Sequence, residues 1–128
     1  MSTSRNCPCG LGEPFAECCG PLHAGEKRAA SAEQLMRSRY TAFAVGDAEY
    51  LLATWHPCTR PAELDLDDEQ RWIGLEILEH TGGGPFDDRG TVRFRAHYRL
   101  RGENHAVSEH SRFAREDGQW YYVDGDHD

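Results

Sequence analysis

The chain has 128 residues, 28% of them charged and 38% hydrophobic, with a formal net charge of −8. That length suits one domain of about 100 residues burying its own core, with room for a short appendage. The acidic balance argues against nucleic acid as a main partner, and no apolar run reaches the roughly 20 residues that a membrane-spanning helix needs.

Four of the five cysteines lie in one stretch near the start, "CPCGLGEPFAECCG". Bridging Cys7 to Cys9, or Cys18 to the adjacent Cys19, would strain the backbone, because a relaxed disulfide holds its Cα atoms about 5.5 to 6 Å apart. Bridges between the two pairs stay open on geometry alone. The opening "MSTSRN" shows no apolar signal region, so the expected compartment is a reducing cytoplasm. There, four clustered thiolates point to zinc, which takes a tetrahedral set of sulfur and nitrogen ligands. Gly10, Gly12 and Gly20 sit where the chain must turn tightly, and Pro8 and Pro14 stiffen the same loop. Residues 1–30 carry three basic and three acidic side chains, so the net negative charge belongs to the remainder.

The segment Cys7 to Gly20 resembles the SEC-C motif, a small zinc-binding element of the SecA translocation ATPase and of other bacterial proteins, in its ligand spacing and its "CPCG" and "CCG" blocks. The resemblance implies Cys7, Cys9, Cys18 and Cys19 as the four metal ligands, with His23 as a spare ligand that could replace Cys19. It departs from the motif at Leu11, where serine is usual, and at Glu13 and Glu17, where the motif is rich in lysine, which weakens any basic partner-binding surface. A site closed by four protein ligands is structural. So short a module cannot bury a core, and the metal would supply most of its folding free energy, about 10 to 16 kcal/mol in comparable peptides.

Two helices are expected over 31–56. Ser31 with Gln34 makes a capping-box pattern, and Met36, Tyr40, Phe43 and Ala44 share a face. Gly46 breaks the run, and Asp47 caps a second helix that carries Leu51 and Trp55 and ends before Pro57. The polar stretch that follows, with Glu63, Asp65, Asp67, Asp68 and Glu69, matches no complete calcium loop and reads as a solvated surface. Strands fill the rest. Ile73, Leu75 and Ile77 share one side of the first. From 91 to 101, Val92, Phe94, Ala96, Tyr98 and Leu100 alternate with Arg93, Arg95, His97, Arg99 and Arg101, an apolar face against a solvated cationic one. Asp117-Gly118 is a two-residue hairpin turn, pairing Glu116 with Gln119, Phe113 with Tyr122 and Ser111 with Asp124. For the preceding hairpin the expected register sets Leu100 opposite Val107, Phe94 opposite Phe113, Tyr98 opposite Glu109 and Ala96 opposite Ser111. Glu109, Ser111 and Asp124 then share the core side.

The stretches "LMRSRYTAF", "YLLATWHP", "HSRFARE" and "WYYVDG" resemble the YchJ family of small bacterial proteins. The resemblance implies an α+β fold: an N-terminal SEC-C module over 1–28, then a cone-shaped nuclear-transport-factor-two-like domain over 29–128, its helices packed on a curved antiparallel sheet. It leaves activity open. One expectation is a non-catalytic adaptor that docks a protein partner through the zinc module. Another is a small-ligand binder or an isomerase or dehydratase, with Trp55, His56, Tyr98, Glu109, Ser111, Tyr122 and Asp124 as pocket candidates. There Glu109 would either serve proton transfer or pair structurally with Arg37 or Arg39. A third expectation, nucleic-acid binding through the zinc module and the arginine stripe, sits poorly with the net charge. Cys58, two residues from His56 across Pro57, reads as an inert thiol.

Overall fold

The computed structural model describes residues 6–67 and 69–127. The opening residues read for a signal region, and Asp68 of the acidic run, lie outside them. No helix is long and apolar enough to cross a membrane among the described residues.

The fold is α+β. A 3-10 turn, Phe15–Glu17, and helix α1, Cys19–His23, precede α2, Ala32–Val45, and α3, Ala48–Ala53. Four antiparallel strands follow in the order β1-β2-β3-β4: Arg71–Gly82, Arg89–Leu100, Glu103–Glu116 and Gln119–His127. Ser31 caps α2 by accepting from the Gln34 amide at 3.1 Å, one of the donors that a helix start leaves unsatisfied. Gly46, at φ 82°, ends that helix in the left-handed conformation, and Asp47 caps α3 through the Tyr50 amide. The second helix stops at Ala53, earlier than expected. Trp55 instead forms a bridge beside Tyr122 of β4, and the Tyr122 amide donates to the Thr54 carbonyl at 2.8 Å.

Leu35, Met36 and Tyr40 of α2 bury against Val92, Phe94, Ala96, Phe113 and Trp120 of the sheet, with Trp72, Leu75 and Ile77 at the margin. Leu35, Met36, Val92, Phe94 and Phe113 each contribute about 1.5 to 3 kcal/mol by leaving water. Ile73 does not join them: a bulge between Trp72 and Gly74 leaves it 55% exposed.

The β2–β3 register differs from the expected one. Leu100 pairs with Glu103, Ala96 with Val107, Phe94 with Glu109, Val92 with Ser111 and Tyr98 with His105. The reason is the turn. Arg101 and Gly102, at φ 51° and 82°, make a two-residue reversal of the kind that suits twisted strands. The expected pairing had left a longer loop there. The offset is four residues, an even number, so every side chain keeps its face. At β3–β4, Glu116↔Gln119 and Phe113↔Tyr122 are as expected, but a bulge between Arg112 and Phe113 sets Ser111 opposite Gly125 and Arg112 opposite Asp124. Asp124 is thereby turned outward.

Candidate functional site

The cysteine loop is closed by an antiparallel bridge between Asn6 and Pro14 and by the Cys7 amide donating to the Glu13 carbonyl at 2.7 Å. Gly10 and Gly12 take φ of 88° and 82°, open to glycine without cost. Gly20 is required for closeness instead: a Cβ there would stand 2.7 Å from the Phe15 carbonyl oxygen. The loop and α1 bring the sulfurs of Cys7, Cys9, Cys18 and Cys19 within 4.8 Å of one another, with Cys9 and Cys18 at 3.5 Å. Four thiolates around one tetrahedral ion would lie about 3.8 Å apart, so the set fits a metal ion. Cys7, Cys9 and Cys19 are buried, and Cys18 is half-buried.

The thiols cannot all ionise unaided. A hydrogen bond from Cys19 draws Cys9 down to about 5, while giving that bond, together with burial, pushes Cys19 up. Burial and the neighbouring Cys9 raise Cys18 to about 12. A cation among them would relieve this opposition.

The cluster is seated on α2. Arg37 donates to the Cys9 carbonyl at 2.7 Å and pairs with Glu33 at 3.0 Å. Thr41 lies 3.5 Å from the Cys7 sulfur. His23 faces away from the sulfurs, its Nε2 2.8 Å from the Ser38 carbonyl and its Nδ1 3.7 Å from Asp47. The part of Thr41 and Arg37 was missed in the sequence. Its one signal was their spacing, four residues apart on α2.

Of the pocket candidates, the structure gathers Trp55, Glu109, Ser111 and Tyr122 and leaves out the rest. Ser111 donates to Glu109 Oε2, and the Tyr122 hydroxyl donates to the same oxygen at 3.1 Å. His127 closes the rim, 3.4 Å from Oε1. Burial, then the Glu109 carboxylate, push the Tyr122 hydroxyl upward. The centre is Arg39, 4% exposed. It donates to the Leu51 carbonyl and the Thr54 hydroxyl, both at 2.7 Å, and its guanidinium lies 5.2 Å from the Trp55 ring centre and 4.6 Å from that of Tyr122. Burial lowers its pKa to about 10. No ion pair joins Arg39 to Glu109 among the described residues; the cation instead caps a carbonyl at the end of α3, where helix carbonyls lack partners. The indole N–H of Trp55 is buried without an acceptor.

His56 turns to Glu116, at 2.6 Å, and accepts from the Cys58 amide, leaving the exposed Cys58 thiol unengaged by the imidazole. Tyr98 stacks on His105 and meets Trp72. Asp124, turned outward by the bulge, binds Arg112 at 2.5 Å. The stripe on β2 is largely answered by neighbours: His97 by Glu76 at 2.6 Å, Arg95 by the Ser108 hydroxyl, and Arg101 by Glu69.

Residues 31–125 match the family described as YchJ, middle NTF2-like domain. A UPF0225 protein of Streptomyces coelicolor is 56% identical over 94% of this chain and 94% of its own length. One of Corynebacterium glutamicum is 53% identical over 97% and 98%. Among solved structures, a SEC-C motif-containing protein from Rhodopseudomonas palustris superposes with a TM-score of 0.83 at 38% identity, covering 95% of this chain and 98% of that one. Another, from Psychrobacter arcticus, gives 0.76 at 29% identity over 94% and 81%.

Proposed function

The chain belongs to the YchJ family, and we propose that it works as a zinc-stabilised, non-catalytic adaptor. Cys7, Cys9, Cys18 and Cys19 hold one structural zinc in a module over 1–28, and the α+β domain over 29–128 serves as its scaffold. The observation that carries this reading is the convergence of four mostly buried sulfurs within 4.8 Å. Bound there, zinc supplies cross-linking and folding energy; with all four positions filled by sulfur it offers no place for substrate or water. Arg37 and Thr41 hold the module against α2, so what it presents outward is a fixed surface, suited to a protein partner. Thiols kept for a metal require a reducing compartment, and the reading includes a cytoplasmic location.

The same reading takes the inner-face cluster as structural. Arg39 occupies the space between the helices and β4 and satisfies the backbone there; a pocket for proton transfer would need that volume for its substrate. Two measurements test the proposal. Zinc-edge absorption should show a shell of four sulfurs, at about 2.3 Å, and a sulfur-poor shell ends the metal assignment. Partners captured by the native chain should be lost on Cys18→Ser with Cys19→Ser. Unchanged capture would detach the adaptor role from the module.

A further inference from the structure

At the far end of the sheet's outer face, Glu69, Arg71, Arg99, Arg101 and Gly102 line a concavity of about 380 Å³. Two local rules are broken here. Arg71 of β1 and Arg99 of β2 are direct cross-strand partners, and like charges so placed destabilise a sheet. Arg101 occupies a turn position at φ 51°, where asparagine, aspartate or glycine is favoured and a long side chain is strained. Neither is needed by the fold. Both put a guanidinium into one hollow.

The cations there are only partly answered. Glu69 meets Arg101 at 3.2 Å, and Arg99 donates to the Asn104 side-chain oxygen at 3.1 Å, which orients the guanidinium without neutralising it. Arg71 has no acceptor among the described residues. Among the described residues that line it, three guanidinium groups against one carboxylate leave two positive charges, in a chain whose net charge is −8. Elsewhere on the same face, cations stand beside acids: Arg95 opposite Glu76, and Arg112 between Asp124 and Asp126. Positions where local preferences fail together are where function is to be sought.

We propose that this corner binds the dianionic phosphate of a small phosphate monoester. Guanidinium groups present paired N–H donors that match phosphate oxygens two at a time, and a dianion balances the local excess. A polyanion fits less well, because a hollow of about 380 Å³ with three guanidinium groups, one of them shared with Glu69, offers donors for one phosphate and none for a second and third.

The test titrates the full zinc-loaded chain at constant chloride with inorganic phosphate, glycerol phosphate and a short single-stranded RNA, following backbone amide and arginine Nε resonances. Saturable shifts at Arg71, Arg99, Arg101 and Gly102 are expected with both phosphates, at about millimolar dissociation constants or below, with the ester binding at least as tightly as the free ion. Arg71→Gln and Arg101→Asn should each weaken binding by about fivefold to tenfold. Both should unfold at the same temperature as the native chain or higher, because each relieves a local cost. Arg95→Gln, further along the same face, should leave binding unchanged. The proposal is overturned if shifts fail to saturate, if Arg95→Gln weakens binding as much as Arg71→Gln, if both corner variants lose thermal stability, or if RNA binds more than tenfold tighter than the monoester.

Discussion

Replacing Arg39 by methionine removes a buried cation while keeping most of its volume. The guanidinium makes two hydrogen bonds of 2.7 Å, each worth about 1.5 to 3 kcal/mol for a charged donor. Its desolvated position over Trp55 and Tyr122 adds about 2 kcal/mol. Against this stands burial, which lowers the pKa from 12.5 to about 10 and so costs around 3 kcal/mol. The balance favours the native chain by about 2 to 5 kcal/mol, a drop in midpoint of roughly 8 to 20 °C for a domain of this size. Arg39→Lys should fall between, since an ammonium keeps the charge but not the planar fork that reaches two acceptors and stacks. Thermal unfolding followed by near-ultraviolet circular dichroism, which reports Trp55 and Trp120 directly, measures this in reducing buffer with zinc. If Arg39→Met unfolds within about 2 °C of the native chain, the cation carries no structural load. The cluster would then have to be reread as a binding site.

Stripping the metal with a strong chelator should expose the amides over 6–24 to hydrogen exchange while those of β2 and β3 stay protected, because the sheet core contains none of the sulfurs; simultaneous loss of both would make module and domain one cooperative unit. Gly125→Ala should destabilise the fold by about 1 to 3 kcal/mol, read as a lower urea midpoint at unchanged slope, since a Cβ there would press on the Glu109 carboxylate and part it from Ser111 and Tyr122. Acid should weaken the outer face. The Arg112 guanidinium holds the Asp126 carboxyl below its ordinary 3.8, and the His97 imidazole holds Glu76 below 4.5. Both groups have folded pKa values below their unfolded ones, so what they add is fully present above those ordinary values and fades as pH falls through the lowered ones. Between about pH 5 and pH 3 the midpoint of Arg112→Gln should therefore change less than that of the native chain, and an equal change would deny Asp126 its part.

Local chemistry in the sequence determined most of the elements. Ser31, Gly46, Asp47 and Asp117-Gly118 act within a few residues of themselves, so caps and turn could be read without knowing what packs on them. The alternation over 91–101 likewise settled which side of β2 is core. The four cysteines, too, sit close enough in the chain for spacing alone to suggest that they meet. Tertiary structure decided the rest. Whether Arg101-Gly102 turns in two residues or lies within a longer loop depends on sheet twist and on the pairing it permits. Because that error was even, Glu109 and Ser111 kept their face; the bulge beyond Arg112 is odd, so Asp124 lost its own. Arg39 and Arg37 look alike in "LMRSRY", yet one ends beneath Trp55 and Tyr122 and the other on the cysteine loop. Two residues along a helix are about 200° of rotation, and only the placement of the sheet and the loop on opposite flanks of α2 tells which flank each arginine meets.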